Sequence, residues 1–338
     1  MVVEELPHCP NCGILLNQDD NFCPQCGYRV RKKMKQMSTD YLQTTGEQDS
    51  FADHPAIFSL VLEAVKGAFS PSSISQLPSG AVYSKRPLRP MGRYLLVSVG
   101  LILAGLFMGY GRLWIAYLGY TIAGFTAPVG YLVWMIRSDR FEQEPTSIVA
   151  LTFGWGVFCG IVASVLNLFI FSILGAPGAS IVEEPLKLLG AYWVARHRRL
   201  GLEFNDHLDG MVYGAAAGAG FAGLENLYYI LEMIQGRGIP ALGAIAIRSA
   251  TSFCHIVWSA SAGRSLGLAK ALRGRTLLSD LVPGLAVAIP MHFLWNASPP
   301  LISILMLFPL YAAILIRQVK AAQRDEESWG YPTKAPVE

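Results

Sequence analysis

The stretch IVEEPLKLLGAYWV, residues 181–194, sets two adjacent carboxylates, Glu183 and Glu184, and an ammonium, Lys187, in a segment otherwise apolar enough to lie in a bilayer. Ionisable side chains at that depth cost roughly 2.5–3.5 kcal/mol each on insertion scales, so they mark a substrate or ion path. The composition supports the membrane reading. Of 338 residues, 52% are hydrophobic and 15% charged, and the mean hydropathy is +0.38; an ordinary soluble domain is less apolar and more charged. The formal net charge of +3 says little about partners. The expected fold is therefore all-α, a polytopic membrane helix bundle.

Outward from this segment, about eight apolar stretches reach the roughly 20 residues that a span requires. They fall near 94–110, 113–136, 147–174, 179–195, 209–233, 240–268, 280–297 and 300–317. Basic residues gather before the first stretch and at Arg137/Arg140, Arg196/Arg198/Arg199, Lys270/Arg273/Arg275 and Arg317/Lys320/Arg324, whereas the opposite loops hold only Arg112 and Arg237. By the positive-inside rule the basic loops and both termini are expected to be cytoplasmic. Residues 1–42 are polar and carry no secretory signal, which agrees.

Four regions are expected: a zinc ribbon over 1–35, a linker over 36–93, a transmembrane domain over 94–317 and a cytosolic tail over 318–338. In the first, CPNCGILLNQDDNFCPQC holds two Cys-x-x-Cys knuckles, Cys9/Cys12 and Cys23/Cys26. Four thiolates so spaced close a tetrahedral zinc site without an open position, which makes the ion structural and supplies folding energy that so short a segment lacks. Two disulfides are the alternative, disfavoured in a reducing cytosol. The ribbon suits a cytosolic partner or regulatory contact, and no pattern in it singles out nucleic acid. In the linker, Ile57, Phe58, Val61, Leu62, Val65 and Phe69 recur at helical spacing, as in an amphipathic helix that lies on the membrane or packs on a neighbour. From Ala321, with Asp325, Glu326 and Glu327, the chain reads as a solvated end.

Placed by depth at about 1.5 Å per residue, polar side chains from four stretches reach a similar level in the outer part of the bilayer. Glu183 and Glu184 open the fourth, Glu225 and Asn226 sit in the outer half of the fifth, His255 is near the middle of the sixth below Arg248, and His292 and Asn296 are one turn apart on the seventh. Each has a bland reading. Ser180 could cap a helix with Glu183 as the third residue of a capping box, Lys187 could merely neutralise its neighbours, the asparagines could be interhelical glue, and Cys159 and Cys254 read as small buried residues. Together they form a candidate catalytic set, Glu183, Glu184, Glu225, His255, His292 and Asn296. Peptide hydrolysis needs a carboxylate to activate water and donors to hold the oxyanion. In a metal version Glu225, His255 and His292 bind the ion and Glu184 is the base. In a metal-free version Glu184 with Glu225 or His255 activates water, and His292 with Asn296 holds the oxyanion. A proton-coupled transporter or a non-catalytic scaffold for partner helices are the other classes left open.

The motifs EEPLK at 183–187, FAGLEN at 221–226, the mid-span His255 and HFLWN at 292–296 resemble the PrsW family of intramembrane proteases. That family is related to the CAAX prenyl endopeptidase and bacteriocin-immunity superfamily, whose pattern is Glu-Glu with a basic residue, Phe-x-x-x-His and His-x-x-x-Asn. Here the middle motif ends in Glu225 where the CAAX branch has His, which favours the PrsW branch. DRFEQEP at 139–145 is similar to the acidic Pro-containing element that precedes the family core, so the resemblance covers about residues 130–300. It implies cleavage of a membrane-anchored protein on its extracytoplasmic side, as in site-1 processing of anti-sigma factors. The ribbon assignment is checked by metal analysis: a Cys23→Ser/Cys26→Ser double variant is expected to purify with one zinc equivalent fewer per chain than the wild type.

Overall fold

The computed structural model describes residues 62, 65–71, 92–140 and 144–328. Cys9, Cys12, Cys23 and Cys26, and most of the linker, lie outside them. The described residues contain eight long helices: α1 (Gly92–Gly109), α2 (Leu113–Ser138), α3 (Thr146–Leu174), α4 (Ala179–Arg196), α5 (His207–Leu231), α6 (Ala241–Arg273), α7 (Leu281–Ala297) and α8 (Phe308–Ser328). Pro300–Ile302 and a π-helical turn, Ser303–Leu307, lead into α8.

Six of the helical stretches are long and apolar enough to cross a membrane. The two expected spans that fall short are α4 and α5, for a physical reason. Helix α4 carries Glu183, Glu184 and Lys187, and α5 is built of glycine, alanine and polar residues. Both are shielded by their neighbours. Helix α5 is buried along every residue from His207 to Gly223, whereas α3 turns Phe158, Ile161, Val165, Leu168 and Phe169 outward. Apolar side chains outside and polar ones inside are what a bilayer demands of a bundle.

The glycines of α5 set how closely its neighbours approach. A Cβ on Gly214 would strike the Ser259 carbonyl oxygen of α6, one on Gly220 that of Phe153 in α3, and one on Gly223 the Phe125 ring of α2. Facing them, Gly156 and Gly263 are equally crowded against Ala217 and Gly210. Small residues let helix backbones touch where no hydrophobic effect drives them together. The first turn of α5 is fixed by Asp206, whose Oδ1 accepts the amides of Leu208 and Asp209, while Asp209 Oδ2 accepts those of Asn205 and Asp206. The opposite end of α6 stops at Gly274, in the left-handed conformation with φ of 68°.

Two expectations at the ends of the bundle resolve differently. Residues 65–69 are helical with Ala68 buried, and the Gln318 amide donates to the Ala68 carbonyl at 3.5 Å, so this piece of the linker packs on a neighbour. Residues 321–326 are not a solvated end. They belong to α8, with Ala321, Ala322, Asp325 and Glu326 buried and Asp325 Oδ2 3.3 Å from His207 Nε2 on α5. Asp325 misled because its partner, His207, is on a distant helix.

Gly214→Val should lower the stability of the purified bundle by about 1–3 kcal/mol, the usual cost of overpacking. Gly154→Val, where an added Cβ meets nothing within 4 Å, should stay within about 0.5 kcal/mol of wild type. Unfolding followed by circular dichroism in detergent separates the two.

Candidate active site

Helices α4, α5, α6 and α7 bring all six expected residues into one connected network, joined by Lys187, Arg248 and Asn226, and α3 adds Asn167. At its centre Lys187, with no exposed surface, donates to Glu184 Oε1 at 2.5 Å and approaches His255 Nδ1 at 3.1 Å. The Phe221 ring lies 4.6 Å from the ammonium. An ammonium has only donors, so His255 Nδ1 accepts and the ring proton sits on Nε2, which donates to Glu225 Oε2 at 2.8 Å. Arg248 reaches the same oxygen at 2.7 Å, and its Nε donates to Asn226 Oδ1 at 2.9 Å. Asn226 in turn donates to Gly124 of α2 and Ser252 of α6. That residue is interhelical glue, as one reading of the sequence had it.

The second branch runs through His292. Its Nδ1 lies 2.7 Å from Glu184 Oε1, so Nδ1–H donates to that carboxylate, and Nε2 accepts from Asn296 Nδ2 at 3.1 Å. Trp258 stacks on the imidazole with ring centroids 4.1 Å apart and planes 13° from parallel, which fixes the ring. Asn296 also donates to the Ala176 carbonyl at 3.3 Å, tying α7 to the start of α4.

The adjacent glutamates play different parts. Glu184 turns inward and holds Lys187 and His292. Glu183 lines a cleft of about 340 Å³ together with Glu225, Arg248, His255, His292 and Asn296. Asn167 of α3 holds Glu183 Oε1 at 2.9 Å, while Oε2 has no hydrogen-bond partner and lies 3.9 Å from His292 Nε2. The capping-box reading of Glu183 fails. Ser180 lies inside α4, which begins after Gly178, and its hydroxyl donates to the Pro177 carbonyl. An apolar groove of about 760 Å³ between α3 and α5, walled by Ile161, Leu168, Leu224 and Tyr228, runs up to Glu183 and Glu225.

Sequence reasoning passed over Asn167 and Trp258, since nothing local distinguishes an asparagine or a tryptophan that meets the site from one that packs a helix. Arg248 was noticed by depth, but its pairing with Glu225 depends on how α5 and α6 cross.

For a zinc-type ion the donor set fits at one corner of the cleft. Glu184 holds the Nδ1–H of His292, the usual support for a metal-binding imidazole; Nε2 of that ring would bind an ion in place of the Asn296 amide, with Glu183 Oε2 unsatisfied beside it. Glu225 is the further carboxylate on the cleft. His255 fits less well, because its Nδ1 lone pair faces the Lys187 ammonium, which repels a cation, and its Nε2–H is held by Glu225. Glu225, His255 and His292 do not form a group with three donors within 4.8 Å of one another; the group of described residues that does lies elsewhere.

A helix bundle with apolar outer faces and a buried centre of carboxylates, imidazoles and an ammonium is a polytopic membrane protein with an ionisable cluster at membrane depth. Residues 144–317 match the PrsW family intramembrane metalloproteases, over half of the chain, and the chain belongs to that family. Residues 8–30 match a zinc-ribbon domain. The chain is similar to Protease PrsW of Geobacillus kaustophilus, 31% identical over 160 residues that make up 44% of this chain and 65% of the relative. It is also similar to Protease PrsW of Bacillus subtilis, 27% identical over 185 residues, 50% of this chain and 78% of that protein. The chain thus spans slightly less than two thirds of the Geobacillus protein. No solved structure matches it.

Lys187→Met should destabilise the bundle by about 3–5 kcal/mol, because it leaves the Glu184 charge buried without its partner. The double variant Glu184→Gln/Lys187→Met should recover most of that loss. Equal stability of the single and double variants, measured by unfolding in detergent, would contradict the coupling.

Proposed function

We propose that this protein hydrolyses a peptide bond of a membrane-anchored protein within the bilayer, with Glu183 as the base. The observation that carries the reading is the Glu183 carboxylate. It faces the cleft with Oε2 unpartnered, is held from behind by Asn167, and stands 3.9 Å from an oriented imidazole. In that position it can accept the proton of an attacking water and return it to the leaving amine. The general base of the metal reading thus moves from Glu184 to Glu183, and Glu184 becomes a positioning residue that fixes His292 and balances Lys187.

Around the attacked carbonyl, the guanidinium of Arg248 and the Nε2–H of His255 hold the Glu225 carboxylate in place. Asn296 keeps His292 in register from the same helix. A metal ion held by His292 and Glu225 would act as a Lewis acid on the carbonyl and acidify the water. The aliphatic and aromatic walls of the groove between α3 and α5 match the side chains of a spanning segment and lead it to the carboxylates. The distribution of Lys and Arg supports a topology with both termini in the cytoplasm and the cleft toward the outer leaflet, and with it cutting near the extracytoplasmic side. Release of a regulator from the membrane, as with anti-sigma factors, is the role that the family resemblance supports. The zinc ribbon then serves as a cytosolic module with a structural ion.

A panel of tagged single-span membrane proteins, co-expressed with the wild type or with Glu183→Gln, tests the reading. The wild type is expected to cut at least one, and the variant to cut it about 10²–10⁴-fold more slowly, the range for loss of a general base. Undiminished cleavage by folded Glu183→Gln would overturn the assignment. No cleavage of any member by a folded wild type would shift the balance to the transporter or scaffold readings.

A further inference from the structure

About 24 Å along α5 from Glu225, at 1.5 Å per residue, a second group of carboxylates is buried at the other end of the bundle. Asp139 caps the end of α2, Glu144 precedes α3, and Asp209 lies in the first turn of α5. One oxygen from each comes within 4.8 Å of the other two. Glu144 and Asp209 are 2% and 0% exposed. The proposed hydrolysis does not use them.

The details resemble a built site more than a chance meeting of acids. Each of the two deepest carboxylates has one oxygen fixed by the protein and one left over. Tyr213 donates its hydroxyl to Glu144 Oε2, and Oε1 has no hydrogen-bond partner. The amides of Asn205 and Asp206 donate to Asp209 Oδ2, at 2.6 and 3.0 Å, and Oδ1 has no partner. Buried polar atoms left in this way are rare and call for an explanation such as an ion or water. Among the described residues no ion pair reaches Glu144 or Asp209, and the two carboxyls lie close enough to hydrogen-bond each other if one carries a proton. Orienting one oxygen of each ligand and leaving the other free is how proteins prepare carboxylates for a metal. Because all the donors are hard oxygens, the matching ion is a hard divalent cation and not zinc.

We infer that Asp139, Glu144 and Asp209 bind a hard divalent cation of the Ca²⁺ or Mg²⁺ type, which ties the α2–α3 connection to the first turn of α5. The site is separate from the cleft and shares no residue with the cysteine knuckles, and the inference does not rest on the proposed hydrolysis. Its rival is a proton shared among the carboxylates.

Terbium luminescence on the purified full-length protein in detergent distinguishes the two, since Tb³⁺ replaces hard divalent cations and Tyr213, bonded to Glu144, can sensitise it. The wild type should give a saturable signal that Ca²⁺ or Mg²⁺ displaces. Glu144→Gln and Asp209→Asn should weaken binding at least about 10- to 100-fold, on the scale seen when support for a metal ligand is lost. Tyr213→Phe should dim the signal with less loss of affinity, and Glu183→Gln should leave it unchanged. The inference is overturned if the folded wild type shows no displaceable signal, as a shared proton requires. It is equally overturned if Glu144→Gln with an intact helical spectrum binds as tightly as wild type, or if Glu183→Gln alone abolishes the signal. Should Glu144→Gln not fold, Asp139→Asn carries the same two outcomes.

Discussion

A lysine ammonium buried without exposed surface at the meeting point of four helices is the constraint on which this structure depends. Removing an ion pair from water costs several kcal/mol per ion, and only close geometry with further hydrogen bonds offsets it. Lys187 meets that condition with Glu184 on one side, His255 on another and the face of Phe221 beneath. The consequences spread outward. Charge balance at Lys187 commits Glu184 to the interior, which lets it orient His292. The lone pair of His255 is used up on Lys187, which turns its remaining N–H to Glu225. Each group that faces the cleft is therefore held by one that does not.

Close helix contact makes this network affordable in space. The polar side chains are of modest length, and they meet because the backbones of α5, α6 and α3 nearly touch at Gly214, Gly218 and Gly220. With larger residues there, Asn226 could not bridge α2 and α6 at once.

Much of this was legible from residue order alone. Runs of about 20 apolar residues located the first seven helices to within about five positions, whereas the last runs on to Ser328, eleven residues past its expected end; charges set in such runs are costly enough to announce a site. What could not be read was direction. Glu183 and Glu184 are neighbours in sequence but about 100° apart around a helix, and only the packing of α3 and α7 decides which one faces the cleft. Asn167 is one polar residue among many in a long apolar span. Asp325 looks solvated in any local window, because His207 lies more than a hundred residues away. The number of spans was similarly ambiguous, since hydropathy measures the lipid-facing surface of a helix and α5 has almost none.

That last feature bears on how the chain enters a membrane during synthesis. Helices α4 and α5 are consecutive and emerge from the ribosome before α6. Alone in lipid, Glu183, Glu184 and Lys187 would face hydrocarbon, while the glycine face of α5 would have no surface to close on. The earlier helix α3 can shelter part of this pair through Asn167, Trp155 and Gly156, but His255 and the Ser259 backbone arrive only with α6. The burial of this hairpin is thus complete only once α6 is in place, and the polar network around Lys187 closes at that same step.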